Sequence, residues 1–321
     1  MSPDARTFTL PPGEQGRAAL NAGVVWQAFH GRFRVGRVFQ NISRNGTEYR
    51  VVELLDRTGK LRCLAWPNLV SVPLPVPEWT IVDVELQLQE MDQARFGKLR
   101  SFATVAEPSA LDQVGTLPHG ICPVAGVIER LRWVVAQIDT PPLHGFVTRV
   151  FADAALARAY FRVPASFGDH HGWEGGAAEH SIELAVNAAL LVGLAPRDRD
   201  IAIVQALFHD IGKTRTHDKT PMAFRTHALI GHDALTLEIL GEALRWLDGA
   251  WPDGALALRH GWTATTSGFR SRIRPMHPAV AVVRGLDGIS RETAMHRKFH
   301  PNPGGFVELT RDRKLWSPNS P

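Results

Sequence analysis

Six residues in the C-terminal half combine metal-binding chemistry with apolar, helix-like surroundings: His180, the adjacent pair His209-Asp210, His232, His260 and Asp287. Imidazole nitrogens and carboxylate oxygens together, without thiolates, suit manganese, iron, zinc or magnesium in different degrees. The densest piece is Phe208-His209-Asp210-Ile211-Gly212-Lys213. Upstream of it Ile201, Val204, Leu207, Phe208 and Ile211 recur at helical spacing, which predicts a helix packed on one side and carrying this polar cluster where water is scarce. Adjacent side chains diverge by about 100°, yet an imidazole and a shorter carboxylate can converge on one ion beside the helix. Lys213, four residues after His209 and three after Asp210, can overhang the same ion. An ion so held lowers the pKa of its water and acts as a Lewis acid, and a lysine beside it offsets negative charge that develops during attack. Asp210 and Lys213 are therefore the expected catalytic pair. Any one helix histidine is as easily satisfied by an ordinary hydrogen bond, and Lys213 alone reads as a surface lysine; the argument rests on the set.

The elements that must position these residues are helical. Val127, Leu131, Val134, Val135 and Ile138 form an apolar stripe that stops before Pro141-Pro142, a second helix is predicted over 143–151, and another opens at His180 and runs to Leu191. The run His170-His171-Gly172-Trp173-Glu174-Gly175-Gly176-Ala177-Ala178-Glu179-His180 leads into it, with His170 and His171 as candidates for orienting substrate. His217, His227 and His277 match no motif and read as surface residues.

Before residue 110 the pattern changes to short alternating segments at 33–42, 49–56, 61–66, 81–88 and 98–105. Five strands suit a small barrel. Asp56-Arg57-Thr58-Gly59-Lys60 reads as a tight hairpin turn in which Gly59 takes a positive φ. A short helix is expected over 18–29. The boundaries predicted are a lead-in at 1–30, a barrel at 31–110, a Pro- and Gly-marked linker at 111–122, a helical domain at 123–298 and a tail at 299–321.

The net charge of +4 and pI near 9.4 suit a polyanionic partner. Cys63 and Cys122 are too few and too far apart for a disulfide framework or a thiolate zinc site, which fits a reducing cytoplasm. The N-terminus lacks an apolar signal region, and the longest apolar stretch is too short for a bilayer, so the expectation is a cytoplasmic protein with no membrane partner.

Two resemblances sharpen this reading. The stretch from Leu54 through Asp56-Arg57-Thr58-Gly59-Lys60 to Trp66 resembles the second and third strands of OB-fold nucleic-acid-binding domains, and the ligand order in the helical half resembles the HD-domain phosphohydrolases. Together they are similar to YhaM-type 3′→5′ exoribonucleases, which join an OB domain to an HD domain and share the His170–Ser181 run followed by His-Asp-Ile-Gly-Lys. The likeness spans most of 32–290. It departs from the family at Arg259-His260-Gly261, where two adjacent histidines are usual, and at Gly285-Leu286-Asp287, where Ala-Asp is usual.

The resemblance implies an α+β multidomain chain, a five-stranded OB-like barrel followed by an all-α HD domain. It implies His180, His209, Asp210 and Asp287 at one divalent ion, manganese favoured over Mg, Fe, Zn or Ni, with His232 and His260 able to complete a second site. It also implies single-stranded RNA or DNA as partner, RNA preferred, and leaves homo-oligomerisation open. Aromatic faces and basic side chains bind single strands on such barrels. The candidates are Phe39, Tyr49, Trp66 and Phe96 with Arg37, Arg50, Arg62, Arg95 and Lys98, of which Tyr49, Trp66 and Arg62 are the strongest, and Arg259 is a phosphate contact on the helical side. The expected activity is 3′→5′ exonucleolytic hydrolysis to nucleoside monophosphates. The alternatives are a phosphohydrolase of a small nucleotide and a non-catalytic single-strand-binding protein.

Overall fold

The structure is a computed structural model that describes residues 19–91, 93–167, 171–264, 275–299, 305–310 and 313–317. The chain divides into two compact units, Met1–Arg158 and Ala159–Pro321.

Five strands dominate the first unit: β1 (Ala28–Ile42), β2 (Glu48–Asp56), β3 (Gly59–Ala65), β4 (Ile81–Met91) and β5 (Ala94–Thr104). The alternation that predicts them also closes them, in the order β1-β2-β3-β5-β4, with β4 returning to β1. The β3–β5 pairing is parallel and the other four are antiparallel. Closure leaves no strand edge exposed over the paired length. Inward positions are filled by Phe33, Val35, Val52, Leu54, Cys63, Val84, Leu86, Leu88 and Leu99, all buried. At the parallel seam a Cβ on Gly97 would lie 2.5 Å from Cys63 Sγ, so glycine is what lets β5 approach β3. Burial there pushes the Cys63 thiol well up, which keeps it unreactive.

Two local expectations fail. Of the segment expected to be helical at 18–29, the described residues 19–29 give no α-helix: a 3₁₀ turn at Leu20–Ala22 is followed by β1 from Ala28, where Phe29 pairs with Leu86 of the neighbouring strand. The β2–β3 turn does not use a left-handed Gly59. Instead the Asp56 carboxylate accepts hydrogen bonds from the backbone N–H of Thr58 (2.8 Å) and Gly59 (3.0 Å), with no positive φ at Gly59, so aspartate closes the turn. The same carboxylate accepts from Leu20 N–H at 2.9 Å and so ties the 3₁₀ turn to the hairpin.

Helices follow: α1 (Ala110–Gly115), α2 (Val127–Val135), α3 (Pro141–Ala152) and α4 (Ala154–Tyr160). Ser109 opens α1 with a capping box completed by Asp112, and Pro141-Pro142 opens α3 where the missing N–H costs nothing. Arg34, fully buried, joins β1 to this layer. Its guanidinium donates to the carbonyls of Thr116 (3.3 Å), Trp79 (3.1 Å) and Gln113 (2.9 Å) and lies 4.1 Å above the Trp79 ring. Burial, with Arg158 nearby, lowers its pKa to about 9.

The second unit holds α5 (Gly176–Leu190), α6 (Pro196–Phe208), α7 (Lys213–Thr216), α8 (Pro221–Leu229), α9 (Asp233–Ile239), α10 (Gly241–Ala250), α11 (Pro252–Ala264) and α12 (Pro278–Phe299), then a hairpin of β6 (Gly305–Thr310) and β7 (Arg313–Ser317). Every residue of α6 from Asp200 to Phe208 is buried, so this helix is packed on all sides rather than one, with α5, α11 and α12 against it. Among the described residues no helix is long and apolar enough to cross a membrane.

Candidate metal centre

Three segments of the second unit bring ligand atoms together. His180 lies in the second turn of α5, His209 is the C-cap of α6 with Asp210 in the turn that follows, and Asp287 lies midway along α12. One ligand atom each from His180, His209 and Asp287 lie within 4.8 Å of one another. His180 Nε2 is 3.2 Å from Asp287 Oδ1 and 4.0 Å from Asp210 Oδ2, and His209 Nε2 is 3.3 Å from Asp210 Oδ2. Lys213 Nζ donates to Asp210 Oδ2 at 2.5 Å, and His232 Nε2 stands 3.4 Å from Asp210 Oδ1. Asp210 is thus shared by four basic groups.

The donor set fits a divalent ion. His209 donates from Nδ1 to the Ala206 carbonyl at 2.8 Å, which leaves Nε2 facing the carboxylates, buried and without an aligned hydrogen-bond partner. An orphaned buried imidazole nitrogen is costly unless something electrophilic meets it. His180 is oriented the same way, its Nδ1 3.3 Å from Ser290 Oγ and its Nε2 toward Asp287.

The electrostatics favour ionised carboxylates and a neutral His180. Burial lowers the pKa of His180, favouring the neutral ring that a metal needs. Burial would also lower that of His209, but the charge and hydrogen bond of Asp210, the Ala206 carbonyl and the Asp287 charge together raise it. For Asp210, burial alone would raise the pKa; His209 and Lys213 instead hold the carboxyl well below the usual carboxylate range. Asp287 is likewise lowered: burial alone would raise it, but its hydrogen bond to His180 together with the His209 and His180 charges outweighs that.

Two glycines set the spacing of the surrounding loops. A Cβ on Gly212 would lie 1.8 Å from the His232 carbonyl oxygen, and one on Gly176 would lie 2.0 Å from that of His171. Gly231, with φ of 81°, turns the chain into His232 just before α9.

The remaining candidates divide. His171 Nδ1 is 3.3 Å from Glu179 and its Nε2 3.5 Å from Glu183; burial would lower its pKa, yet these two glutamates raise it to about 9. His171 lies beside His180, ring centroids 5.5 Å apart, whereas His170 lies outside the described residues. His260 is not drawn into the cluster: its Nε2 accepts from Met276 N–H at 3.0 Å, and the Gln205 side chain packs on the neighbouring Gly261. Arg259 is engaged bidentately by Asp248 at 2.5 and 2.8 Å. His260→Ala is therefore expected to leave tightly held metal unchanged, while His180→Ala removes most of it, as read by metal analysis after dialysis; equal losses would put His260 in the centre.

In the first unit, the β2–β3 register sets Tyr49 beside Trp66 on the outer face, stacked at 4.6 Å with planes 23° apart. Arg62 faces Glu53 on the same side, and Lys98 pairs in register with Leu64.

Sequence reasoning missed Ser290 and Glu183. Each stands three residues from a candidate ligand, Asp287 and His180 respectively, and that spacing is the signal sequence offers. His217, read as a surface residue, is buried and stacks on Phe167 with centroids 4.4 Å apart.

Comparison with known proteins places this geometry. Residues 177–291 match the HD domain family. Over 180 residues the chain is 25% identical to the 3′-5′ exoribonuclease YhaM of Geobacillus sp. (strain WCH70), covering 55% of this chain and 54% of that one, so the chain spans about half the length of the curated relative it matches. His180, His209 and Asp287 all fall inside the matched region, and residues 177–291 are thus the HD domain of a chain that carries a closed five-stranded barrel before it.

Proposed function

We propose that the protein is a metal-dependent 3′→5′ exonuclease of single-stranded nucleic acid, RNA in preference to DNA, releasing nucleoside monophosphates. The observation that carries the reading is the buried His209 Nε2, without an aligned hydrogen bond, held among His180, Asp210 and Asp287 in an HD domain. These four residues would hold the ion, manganese favoured, whose chemistry is activation of water and polarisation of the scissile phosphate. Asp210 fixes Lys213 by their 2.5 Å contact, so the ammonium is oriented before substrate arrives. Its charge is set to offset what develops on phosphoryl oxygens during attack. Ser290 orients His180 from behind, and the Ala206 carbonyl orients His209. The likeness to the YhaM exoribonuclease supports a nucleic-acid substrate, and the Tyr49-Trp66 face of the OB-like barrel supports a single strand, whose bases stack on aromatic rings.

The deciding experiment incubates manganese-loaded protein with 5′-labelled single-stranded RNA and DNA, and separately with free nucleotides. A ladder shortening from the 3′ end with monophosphate release supports the reading; hydrolysis of free nucleotides alone would replace it with a nucleotide phosphohydrolase. Tyr49→Ala or Trp66→Ala is expected to weaken single-strand binding by about 1–3 kcal/mol, the worth of one stacked base. Fluorescence anisotropy with labelled oligonucleotide checks this, and unchanged affinity would remove that face from binding.

A further inference from the structure

Beside the metal centre, outside its ligand set, a hollow of 340 Å³ is lined by Trp173, Met295, Arg297, Lys298 and Phe299, with His171 and Ala294. That volume lies at the small end of ligand sites, about 300–1,000 Å³. Its two rings are exposed, Trp173 by 52% and Phe299 by 41%. The indole is not loose: Trp173 Nε1 donates to Glu179 Oε2 at 2.8 Å, one residue before the ligand His180, so its plane is tied to the ligand helix. Arg297 and Lys298 stand on the last turn of α12, the helix that carries Asp287, and both are exposed.

Helix geometry fixes how far this hollow is from the chemistry. Asp287, Ala294 and Lys298 are seven and eleven residues apart and share one face of α12. Ala294 is then about 10 Å along the helix from Asp287 at ~1.5 Å per residue. A stacked strand rises about 3.4 Å per nucleotide, so a chain with its terminal phosphodiester at the metal centre would carry its third or so base into the hollow. Exposed aromatic faces with cations at the rim, in line with a phosphodiester-cleaving centre, match bases and phosphates of one strand better than an uncharged apolar ligand.

We propose that this hollow is a nucleobase subsite: Trp173 and Phe299 stack a base roughly three nucleotides from the 3′ end, and Arg297 and Lys298 contact the phosphates beside it. The inference rests on the exonuclease reading and adds to it a grip on the strand inside the HD-bearing unit.

The test uses the full chain stripped of metal with EDTA, so that no cleavage occurs, and single-stranded RNA carrying one 5-iodouracil either near the 3′ end or far from it. After irradiation, adducts are mapped by mass spectrometry. An adduct on Trp173 or Phe299 with the 3′-proximal probe, and not with the distal one, is expected. Adducts that avoid both residues, or that form equally from both probes, would overturn the subsite. Kinetically, Trp173→Ala is expected to raise KM for a tetranucleotide about ten-fold more than for a dinucleotide, the effect of one lost stacking contact; equal rises for the two lengths would also overturn it. Should the wild type cleave no oligonucleotide while the Trp173 adduct still forms, the exonuclease reading fails and the subsite stands.

Discussion

Asp210→Ala is expected to lower turnover on single-stranded oligonucleotide by on the order of 10³-fold or more, because on the proposed reading it removes a carboxylate that would hold the ion activating the water, a contribution of several kcal/mol. The structure adds a second effect. Lys213 is itself buried and has Asp210 Oδ2 at 2.5 Å, so alanine would strand its ammonium without a counter-charge. Asp210→Asn keeps the shape and an acceptor oxygen for Lys213 while removing the charge. Turnover and metal content should fall in both variants, with the melting temperature falling further in Ala than in Asn. An Asp210→Asn protein that keeps full metal and full rate would exclude this carboxylate from the mechanism.

Arg34→Met is expected to destabilise the barrel-bearing unit by at least about 3 kcal/mol without touching the metal centre's ligands. Two effects oppose each other. Burial disfavours the charged guanidinium, as its lowered pKa of about 9 records, and methionine would relieve that cost. Against it, three buried carbonyls, of Trp79, Gln113 and Thr116, lose their donor, at about 1–3 kcal/mol each. The second effect is the larger. Urea denaturation followed by circular dichroism reads the difference, and a midpoint equal to the wild type's or above it would mean that desolvation dominates at this site.

The barrel was legible because period-two alternation survives wherever one strand face is buried: the segments at 49–56 and 81–88 reappear almost unchanged within β2 and β4. The candidate centre was legible as a cluster for a different reason. His209, Asp210 and Lys213 fall within one and a half turns, so their proximity is local and needs no tertiary knowledge. What failed depends on long-range packing. Ser290 reaches His180 across 110 positions, and its three-residue spacing from Asp287 says nothing of that contact. Arg34 sits at an outward position of β1, where sequence gives a solvated charge; only the presence of α1 over that face turns it into a buried anchor. His217 was misplaced similarly, since a histidine in a polar stretch carries no mark of the Phe167 ring that covers it. The helix expected over 18–29 lost to cross-strand pairing, a case of tertiary context overriding local pattern.

The contacts at Gly212 and Gly176 bear on how such a centre tolerates change. In both, a backbone carbonyl of the loop that bears an outlying histidine rests where a side chain would begin. The gauge between that loop and the neighbouring segment is therefore the radius of an oxygen atom, which no substitution elsewhere in the loop alters. Residues such as Lys219 or Met222 on the exposed rim can vary without moving His232, whereas a single methyl group at position 212 would push the whole loop outward with every ligand still present. Loss of activity and loss of chemistry are then separable events in this protein. The histidine and carboxylate inventory can be intact in a chain whose centre has lost its dimensions.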